Sequence, residues 1–396
     1  MRQIIDKLYC VGCSACYNVC PKQCITMRDD NEGFFYPQIN ERNCVNCELC
    51  KSVCPVLNVQ RDDRKETKAY AAYNINLDER LDSSSGGMFS LFARLVLERG
   101  GVVFGAAMAD DCRSVHHICI HSERELHLLR GSKYLQSNIG FSYTKVRRIL
   151  DSGGEVLFSG TPCEIEALKS FLGKEYDNLI CIDFICHGVP SPRLWAKYVK
   201  YREDAAAAPV QRTFFRHKKY GWKTYALLVE FSNNKAYEQI FSKDLFMQMF
   251  LQNICLRPSC YSCPFKKINR VSDITLADFW GCQFVCPELD DNNGLSALLI
   301  HSPKGTKLFH SIRDLCVSKE VPFSSVLRGN SSLTQACSLP EYRSNFFKDL
   351  EKISIDQLGQ KYLKQRSFKE RVVRKIKSII PACWKMRVKH VLKGKY

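Results

Sequence analysis

The chain has 396 residues, of which 45% are hydrophobic and 25% are charged, an ordinary globular composition that excludes low-complexity disorder. This length predicts two or three domains. No stretch approaches the ~20 consecutive apolar residues of a transmembrane helix, and residues 1–9 lack the apolar core of a signal peptide, so we expect a cytoplasmic protein. Two numbers are unusual, the 22 cysteines and the formal net charge of +17. Without an export signal, dense cysteine indicates metal or redox chemistry rather than disulfides.

Eight cysteines near the start form two runs with the same spacing. Each run reads Cys-x2-Cys-x2-Cys-x3-Cys-Pro, the bacterial ferredoxin spacing in which the fourth cysteine ligates the other cluster of a pair. We therefore expect two [4Fe–4S] clusters. Cluster 1 is assigned to Cys10, Cys13, Cys16 and Cys54, and cluster 2 to Cys44, Cys47, Cys50 and Cys20. Zinc is the alternative metal, but a zinc site needs four ligands per ion without this crossed spacing.

Cys24 lies outside this pattern, and we interpret it as a small buried side chain of the same module.

From residue 69 onward the pattern changes to alternating short strands and helices. Strands are predicted over 70–73, 102–106, 155–158, 179–185 and 274–279, and helices over 88–98, 163–172 and 193–201. Strand–turn–helix units of this kind are typical of an α/β sheet with parallel strands.

Four cysteines of this second part are candidates for a third [4Fe–4S] cluster. Cys163 and Cys186 each follow a predicted strand, and ligands bind at the edge where the carboxyl ends of parallel strands meet. Cys260 and Cys263 form a Cys-x2-Cys-Pro motif further along, with Cys255 as a reserve ligand. Buried thiols at the first two positions and a structural or redox pair at the last two are the alternative. Spacing alone does not separate these interpretations.

Two loops rich in Gly and Ser are candidate phosphate sites. Residues 83–87 open a predicted helix, and the free amides at a helix N-terminus attract anions. The second loop comprises residues 130–137. In it, Lys133 lies next to Tyr134 and offers a cation. A simple helix cap is the competing interpretation of residues 83–85.

Six motifs, taken together and in this order, resemble a known family. They are Ser84-Ser85-Gly86-Gly87, Gly131-Ser132-Lys133-Tyr134, Gly160-Thr161-Pro162-Cys163, Cys186-His187-Gly188, Cys260-x2-Cys263 and Asp278-Phe279-Trp280-Gly281. Residues 1 to about 340 resemble the beta-subunit family of the coenzyme F420-reducing hydrogenases and F420-linked dehydrogenases, in the branch with an added N-terminal two-cluster ferredoxin.

The resemblance and the motifs together predict the fold class. They predict an α+β ferredoxin-like N-terminal module, an α/β flavin-binding domain and a basic helical C-terminal tail. The expected divisions are a ferredoxin domain over 1–60, a linker over 61–68, the two parts of the family domain over 69–150 and 151–340, and the tail over 341–396.

The resemblance also implies bound FAD beside the third cluster. The implied flavin contacts are Ser84, Ser85, Gly86, Gly87, Ser132, Lys133 and Tyr134. His187 and Asp278 are candidate proton donors at the same place, although a histidine hydrogen-bonded in a turn is the alternative for His187.

The expected function is that of an iron–sulfur flavoprotein oxidoreductase. Electrons from a ferredoxin or another redox partner protein would pass through the clusters to FAD and leave as a hydride to a small organic acceptor. No residue identifies that acceptor as a deazaflavin. The alternative is a non-catalytic, polyferredoxin-like subunit that relays electrons to a separate redox enzyme.

Most of the positive charge lies at the C-terminal end. Residues 361–396 hold 13 Lys or Arg and one acid, a net charge of +12, which leaves residues 1–360 with +5. Because the rest of the chain is nearly balanced and the tail has no aromatic stacking platform, we expect no nucleic-acid partner. The tail reads as a basic amphipathic helix, kinked at Pro381. It suits either an anionic membrane surface or packing on the protein itself or a partner.

Overall fold

The computed structural model describes residues 3–59 and 67–364. The linker expected over 61–68 and the basic helix expected near the C-terminus therefore lie mostly or wholly outside the described residues. Within the described residues, no helix combines the length and apolar character needed to cross a bilayer.

Residues 3–59 form a small module built on a repeated motif. Its elements are α1 (Ala15–Val19), β1 (Ile25–Asp29), β2 (Phe35–Ile39) and α2 (Leu49–Ser52). The two strands pair in antiparallel register, with Ile25 opposite Ile39. These two side chains pack with Ile4 and Cys24 in a small core. Cys24 is thus buried, in agreement with its interpretation from the sequence.

Residues 67–364 contain the main sheet and the helices that cover it. In chain order the elements are β3 (Lys68–Asn74), α3 (Leu77–Asp82), α4 (Met88–Glu98), β4 (Val102–Met108), β5 (Val115–Ile120), α5 (Leu126–Leu129), β6 (Ser137–Asn138), α6 (Ser142–Asp151), β7 (Val156–Ser159), α7 (Pro162–Leu172), β8 (Leu179–Phe184), α8 (Pro192–Ala206), β9 (Val210–His217), β10 (Ala226–Phe231), β11 (Ala236–Ile240), α9 (Leu245–Leu251), β12 (Ile274–Asp278), β13 (Ser296–Ile300), α10 (Pro303–Ser311), β14 (Cys316–Glu320), α11 (Phe323–Gly329), α12 (Arg343–Leu350) and α13 (Ile355–Tyr362).

The main sheet has nine strands in the order β14-β3-β13-β12-β8-β7-β4-β5-β6. Strands β12, β8, β7 and β4 are parallel neighbours. The strand predicted over 70–73 belongs to β3, which instead runs antiparallel to both of its neighbours. The sheet is therefore mixed, and the expectation of parallel strands holds for its four central strands and for the edge pair β5–β6. Antiparallel neighbours need no helical crossover, so strand–helix alternation in the sequence does not reveal them.

A second sheet, in the order β11-β10-β9, was not predicted from the sequence. It packs with α8 and α9 around an aromatic core that includes the buried Trp195, Phe215 and Phe246. The indole of Trp195 donates a hydrogen bond of 2.7 Å to the carbonyl oxygen of Cys112, so this large side chain has its polar atom satisfied inside the core.

The N-terminal module docks on the rest of the chain through specific polar contacts. The amide of Asn18 donates to the carbonyl oxygen of Gly140 at 2.8 Å. On the other side, Glu32 forms an ion pair with Arg343, and its carbonyl oxygen accepts from Ser191. Because buried polar groups seldom remain without partners, this pairing fixes the orientation of the module.

Central strand packing gives a test of the fold. Leu157 of β7 is fully buried, whereas Leu128 of α5 is 41% exposed. We expect Leu157→Ala to lower the free energy of unfolding by about 2–5 kcal/mol, because it leaves a cavity in the core. The matched Leu128→Ala should change it by less than about 0.5 kcal/mol. Anaerobic thermal unfolding monitored by circular dichroism would compare the two, and equal midpoints would contradict the burial of Leu157.

Candidate redox centres

The eight cysteines of the two runs line two cavities in the N-terminal module. The first cavity is lined by Cys10, Cys13, Cys16 and Cys54. The second is lined by Cys44, Cys47, Cys50 and Cys20, with Cys24 beside them. Each set contains three cysteines from one run and the last cysteine of the other. The structure thus brings together the two crossed sets expected from the spacing.

The backbone around the two cavities follows the sequence repeat. Gly12 and Asn46 occupy equivalent places and have φ angles of 68° and 57°. Ser14 and Glu48, two residues further on, have φ angles of 63° and 59°. Successive turns of this kind point backbone amides into a concavity that attracts anions. Both runs are therefore folded to face a negatively charged group.

The thiols of the first cavity are in an environment that opposes ionisation. Burial raises the pKa of Cys13 and of Cys16, and repulsion by neighbouring cysteines raises each further. A thiol must lose its proton to ligate a metal. Buried thiolates in such proximity are stable only when metal cations neutralise them.

The four cysteines proposed for a third cluster line one further cavity. Cys163 is in the first turn of α7, directly after β7, and Cys186 lies just beyond the end of β8. Cys260 and Cys263 come from a short 3-10 turn and the residue that follows it. Two neighbouring parallel strands therefore supply two thiols to the same sheet edge, and a later segment supplies the other two.

Hydrogen bonds reach two of these sulfurs. The hydroxyl of Thr161 lies 3.1 Å from Cys163 Sγ, and the amide of Val189 donates to Cys260 Sγ at 3.5 Å. Burial raises the pKa of Cys186 to about 12 and that of Cys260 to about 11. Cys255, the reserve ligand, is fully buried in the aromatic core and does not line this cavity.

The geometry of the thiols bears on the kind of metal centre. No group of three or more His, Cys, Asp or Glu side chains within residues 3–59 and 67–364 could hold a single metal ion. A tetrahedral zinc site requires four ligands that converge on one ion. A cubane instead takes each thiolate on a separate iron atom, so its ligands surround a wider space.

The two Gly/Ser-rich loops meet in the structure. The amide of Ser132 donates to Ser84 Oγ at 2.6 Å. Ser85 and Gly86 bond within the fold, the hydroxyl of Ser85 to the carbonyl oxygen of Leu295 and the amide of Gly86 to Ser296 Oγ, both at 3.0 Å.

Gly87 caps α4 with φ +80°, a left-handed conformation that suits glycine. A single surface therefore joins the start of α4 to the loop that carries Lys133.

Lys133 and Tyr134 differ in what they contact. Lys133 Nζ donates to the carbonyl oxygens of Leu128 and Arg130 at 3.0 and 2.9 Å. The ring of Tyr134 packs on Phe250 with centroids 4.7 Å apart, and the ring of His187 packs on the same phenylalanine at 5.2 Å. Phe250 thereby connects the second loop to the third cysteine cavity, which His187 lines.

The candidate proton donors are both held by neighbours. His187 Nε2 lies 2.7 Å from Asn253 Oδ1, and burial lowers the pKa of this histidine. The carboxylate of Asp278 accepts from two Arg216 nitrogens, at 2.8 and 3.1 Å, and from the indole of Trp222 at 2.8 Å. Asp278 is thus an ion-pair partner in this arrangement.

Sequence reasoning did not single out several residues of this region. Arg216 is in β9, and Trp222 lies in the connection between β9 and β10. Both belong to the region of the second sheet, which was not predicted. Cys337 comes from a distant segment, and its thiol donates to the carbonyl oxygen of His187 at 2.9 Å. Arg216 Nε is buried without a hydrogen-bond partner among the described residues, close to Tyr134. None of these residues belongs to a short motif, so only the fold brings them together.

Lys218 stabilises the loop at residues 83–87 through hydrogen bonds. Its ammonium group donates to the carbonyl oxygens of Arg80, Ser85 and Asn293, the last two at 2.6 and 2.8 Å. Burial, reinforced by the charge of Arg216, lowers the pKa of Lys218 to about 7.

These cavities and cysteine spacings are those of an iron–sulfur redox protein. Residues 9–58 match the family model of the 4Fe-4S dicluster domain, and residues 153–323 match the model of the C-terminal part of the coenzyme F420 hydrogenase/dehydrogenase beta subunit. These two matches confirm the resemblance inferred from the motifs. The flavin-binding part of the expected fold class rests on this resemblance alone.

Other comparisons add little detail. The structure is similar, with a TM-score of 0.46 and 13% sequence identity, to a chain in the xenon-derivatised F420-reducing [NiFe] hydrogenase complex from Methanosarcina barkeri. The alignment covers 74% of this chain and 93% of that chain. No curated protein matches the sequence.

The buried Lys218 predicts a dependence of stability on pH. An unfolded lysine keeps its proton up to about pH 10.4, whereas the folded one loses it near pH 7. Between these values the unfolded chain binds more protons, so this group makes stability rise with pH. Lys218→Met removes that contribution. We expect the thermal midpoint of wild type minus that of the variant to increase from pH 7 to pH 9.5. A constant difference, like that expected for the exposed control Lys243→Met, would contradict the burial of the charge.

Proposed function

We propose that this protein is an iron–sulfur flavoprotein oxidoreductase that carries electrons from a redox partner protein to a small organic acceptor. The observation that supports this most directly is the set of three cavities, each lined by the four cysteines assigned to one cluster, with Cys24 as a fifth in the second cavity. The cavities assigned to clusters 1 and 2 share the lining residue Ile4. The cavities assigned to clusters 1 and 3 share Val11. The order cluster 2, cluster 1, cluster 3 follows from these shared residues.

The residues fit three [4Fe–4S] clusters. Each cavity is lined by the four thiols assigned to one cluster, and the crossed spacing of the first two sets is typical of paired [4Fe–4S] clusters rather than of zinc sites. The proposed third cluster takes Cys163, Cys186, Cys260 and Cys263 as its ligands. Amide and hydroxyl hydrogen bonds to Cys163 and Cys260 would tune its potential.

The two loops that meet near α4 fit the phosphate and ring portions of FAD. The proposed contacts are Ser84, Ser85, Gly86, Gly87, Ser132, Lys133 and Tyr134, as the family resemblance implies. Because Ser85 and Gly86 bond within the fold, their part is to shape the loop. The start of α4 offers free amides to an anion, and Tyr134 offers a ring next to the partnerless Nε of Arg216. FAD, when bound, supplies the step between one-electron and two-electron chemistry.

His187 is the better placed of the two candidate proton donors. It lines the third cavity and packs on Phe250, the ring that also contacts Tyr134. Asn253 holds its Nε2, and the lowered pKa keeps the ring neutral near pH 7. Asp278, held by Arg216 and Trp222, would instead orient those side chains beside Tyr134. His187 would then accept or return a proton as the acceptor gains a hydride.

The partner proteins follow by analogy with the family. Its name refers to a hydrogenase and dehydrogenase beta subunit, and the similar solved chain belongs to a hydrogenase complex. A redox protein that docks at cluster 2 and an organic acceptor near Tyr134 are the proposed partners. Whether that acceptor is a deazaflavin is an outcome of the test below.

The experiment is to measure iron, zinc and flavin per chain after anaerobic purification, and then to follow flavin reoxidation with candidate acceptors. About 12 iron and one FAD, with acceptor-dependent reoxidation, would support the oxidoreductase. Twelve or eight iron without flavin would replace it by the electron-transfer subunit. Zinc in place of iron would contradict both.

The third cluster has its own prediction. Cys163→Ser should lower the iron content from about 12 to about 8 per chain, because one cubane loses a ligand. Cys255→Ser is the matched control. This cysteine is also buried and is close to Cys260 in the sequence, but it does not line the cavity. Its iron content should stay that of the wild type. Iron loss in Cys255→Ser, or none in Cys163→Ser, would reassign the ligands.

A further inference from the structure

Arg257 lies at the junction between the N-terminal module and the rest of the chain. Only 1% of it is exposed. Its Nε donates to the carbonyl oxygen of Cys10 at 2.7 Å, and one terminal nitrogen donates to that of Phe35 at 2.9 Å. The other terminal nitrogen donates to Gln136 Oε1 at 2.8 Å. All three arms of the guanidinium are therefore used, two of them by the module.

The charge of Arg257 has no carboxylate beside it. No ion pair joins it to an acid anywhere in residues 3–59 or 67–364, and its acceptors are neutral oxygens. Other buried arginines have acids, as Arg343 has Glu32, Arg216 has Asp278 and Arg80 has Asp291. An isolated buried charge is costly, so such charges are normally paired. Within residues 3–59 and 67–364, its charge faces neutral carbonyl and amide oxygens and the rings of Phe34 and Tyr36, at 5.4 and 4.3 Å, rather than an acid.

Arg257 lines one cysteine cavity and contacts the backbone of another. It lines the third cavity, and it holds the carbonyl of Cys10, a ligand of cluster 1. A Cβ on Gly12 would lie 2.8 Å from an Arg257 nitrogen, so the loop of cluster 1 packs directly on the guanidinium.

The other charged groups at the third cavity act differently. Arg270 lines it but forms an ion pair with Asp183 at 2.9 Å. Lys266 lines the third cavity but not the first, and its ammonium donates to the carbonyl oxygen of Cys186. Glu164 accepts the amide of Thr161 at 2.7 Å as part of a helix cap. Of these groups, only Arg257 also contacts a ligand of cluster 1.

We propose that Arg257 is a buried positive charge shared by clusters 1 and 3, which raises the reduction potentials of both and couples the module electrically to the rest of the chain. This inference rests on the cluster assignment of the proposed function. Four thiolates make each cluster anionic, and one-electron reduction adds a further negative charge. A fixed nearby cation favours the reduced form. Because arginine does not lose its proton in proteins, the effect persists at every working pH.

Two substitutions and one control test the charge itself. Arg257→Gln removes it, and Gln136→Glu neutralises it while keeping an acceptor where Arg257 already donates. Arg343→Gln is the control, because Arg343 is also buried and also holds the module, through Glu32, but lines none of the three cavities. All are tested as full chains with their clusters, in an anaerobic redox titration followed by electron paramagnetic resonance.

The expected result is selective. Arg257→Gln and Gln136→Glu should each lower two of the three cluster potentials, by at least a tenfold change in the reduction equilibrium, or about 59 mV. The potential of cluster 2 should stay at the wild-type value. In Arg343→Gln, the potentials of all three clusters should stay at their wild-type values. In a Cys163→Ser background, only one of the two remaining potentials should shift.

Other results would overturn the proposal in distinguishable ways. If both substitutions leave all potentials unchanged, or if Arg343→Gln causes the same shifts, Arg257 has only a docking role. If Arg257→Gln fails to retain iron, Gln136→Glu decides by itself. If the wild-type protein holds about 12 iron but the variant potentials do not shift, only the role of Arg257 is refuted. If the wild-type protein does not hold about 12 iron, the cluster assignment on which this role depends is refuted.

Discussion

Buried thiolates repel one another, and the structure holds three cysteine-lined cavities in which the proposed clusters would require four of them to coexist. Burial alone raises the pKa of thiols such as Cys186 to about 12, so an empty ligand set would stay protonated. Metal cations reverse that balance, which makes metal binding and folding interdependent. The positive-φ turns at Gly12 and Asn46 and the amide of Val189 supply further partial positive charge to these sites.

The main sheet solves the problem of bringing distant thiols to one place. Because β7 and β8 are parallel neighbours, the residues that follow them emerge at the same edge. Cys163 and Cys186 are separated by 22 intervening residues, yet both line the third cavity. The same edge receives the N-terminal module, through Val11, which contacts two cavities at once. One topological feature thereby orders all three centres.

Local signals in the sequence were sufficient for the parts of the fold that short-range rules determine. The helix predicted over 88–98 is α4, with the same ends. Gly87 begins this amphipathic segment and the turn after Glu98 ends it, and both signals are local in the sequence. The crossed cysteine sets follow from spacing alone. The second sheet and the antiparallel placement of β3 were missed, because strand order depends on pairings far apart in the chain. Arg257 was missed for a related reason. A lone arginine has no spacing signature, and only the packed structure shows that it pairs with no acid in residues 3–59 and 67–364.

The ligand sets differ in how much chain each requires, and this has a consequence for biosynthesis. All eight cysteines of the first two sets lie within the first 54 residues, so both are complete soon after the module leaves the ribosome. The third set extends from Cys163 to Cys263, and its first two members reach their places only when β7 and β8 have paired. Domains generally form in the order of their synthesis. The proposed third cluster would therefore be assembled later than the two of the N-terminal module, once the strands of the main sheet have paired.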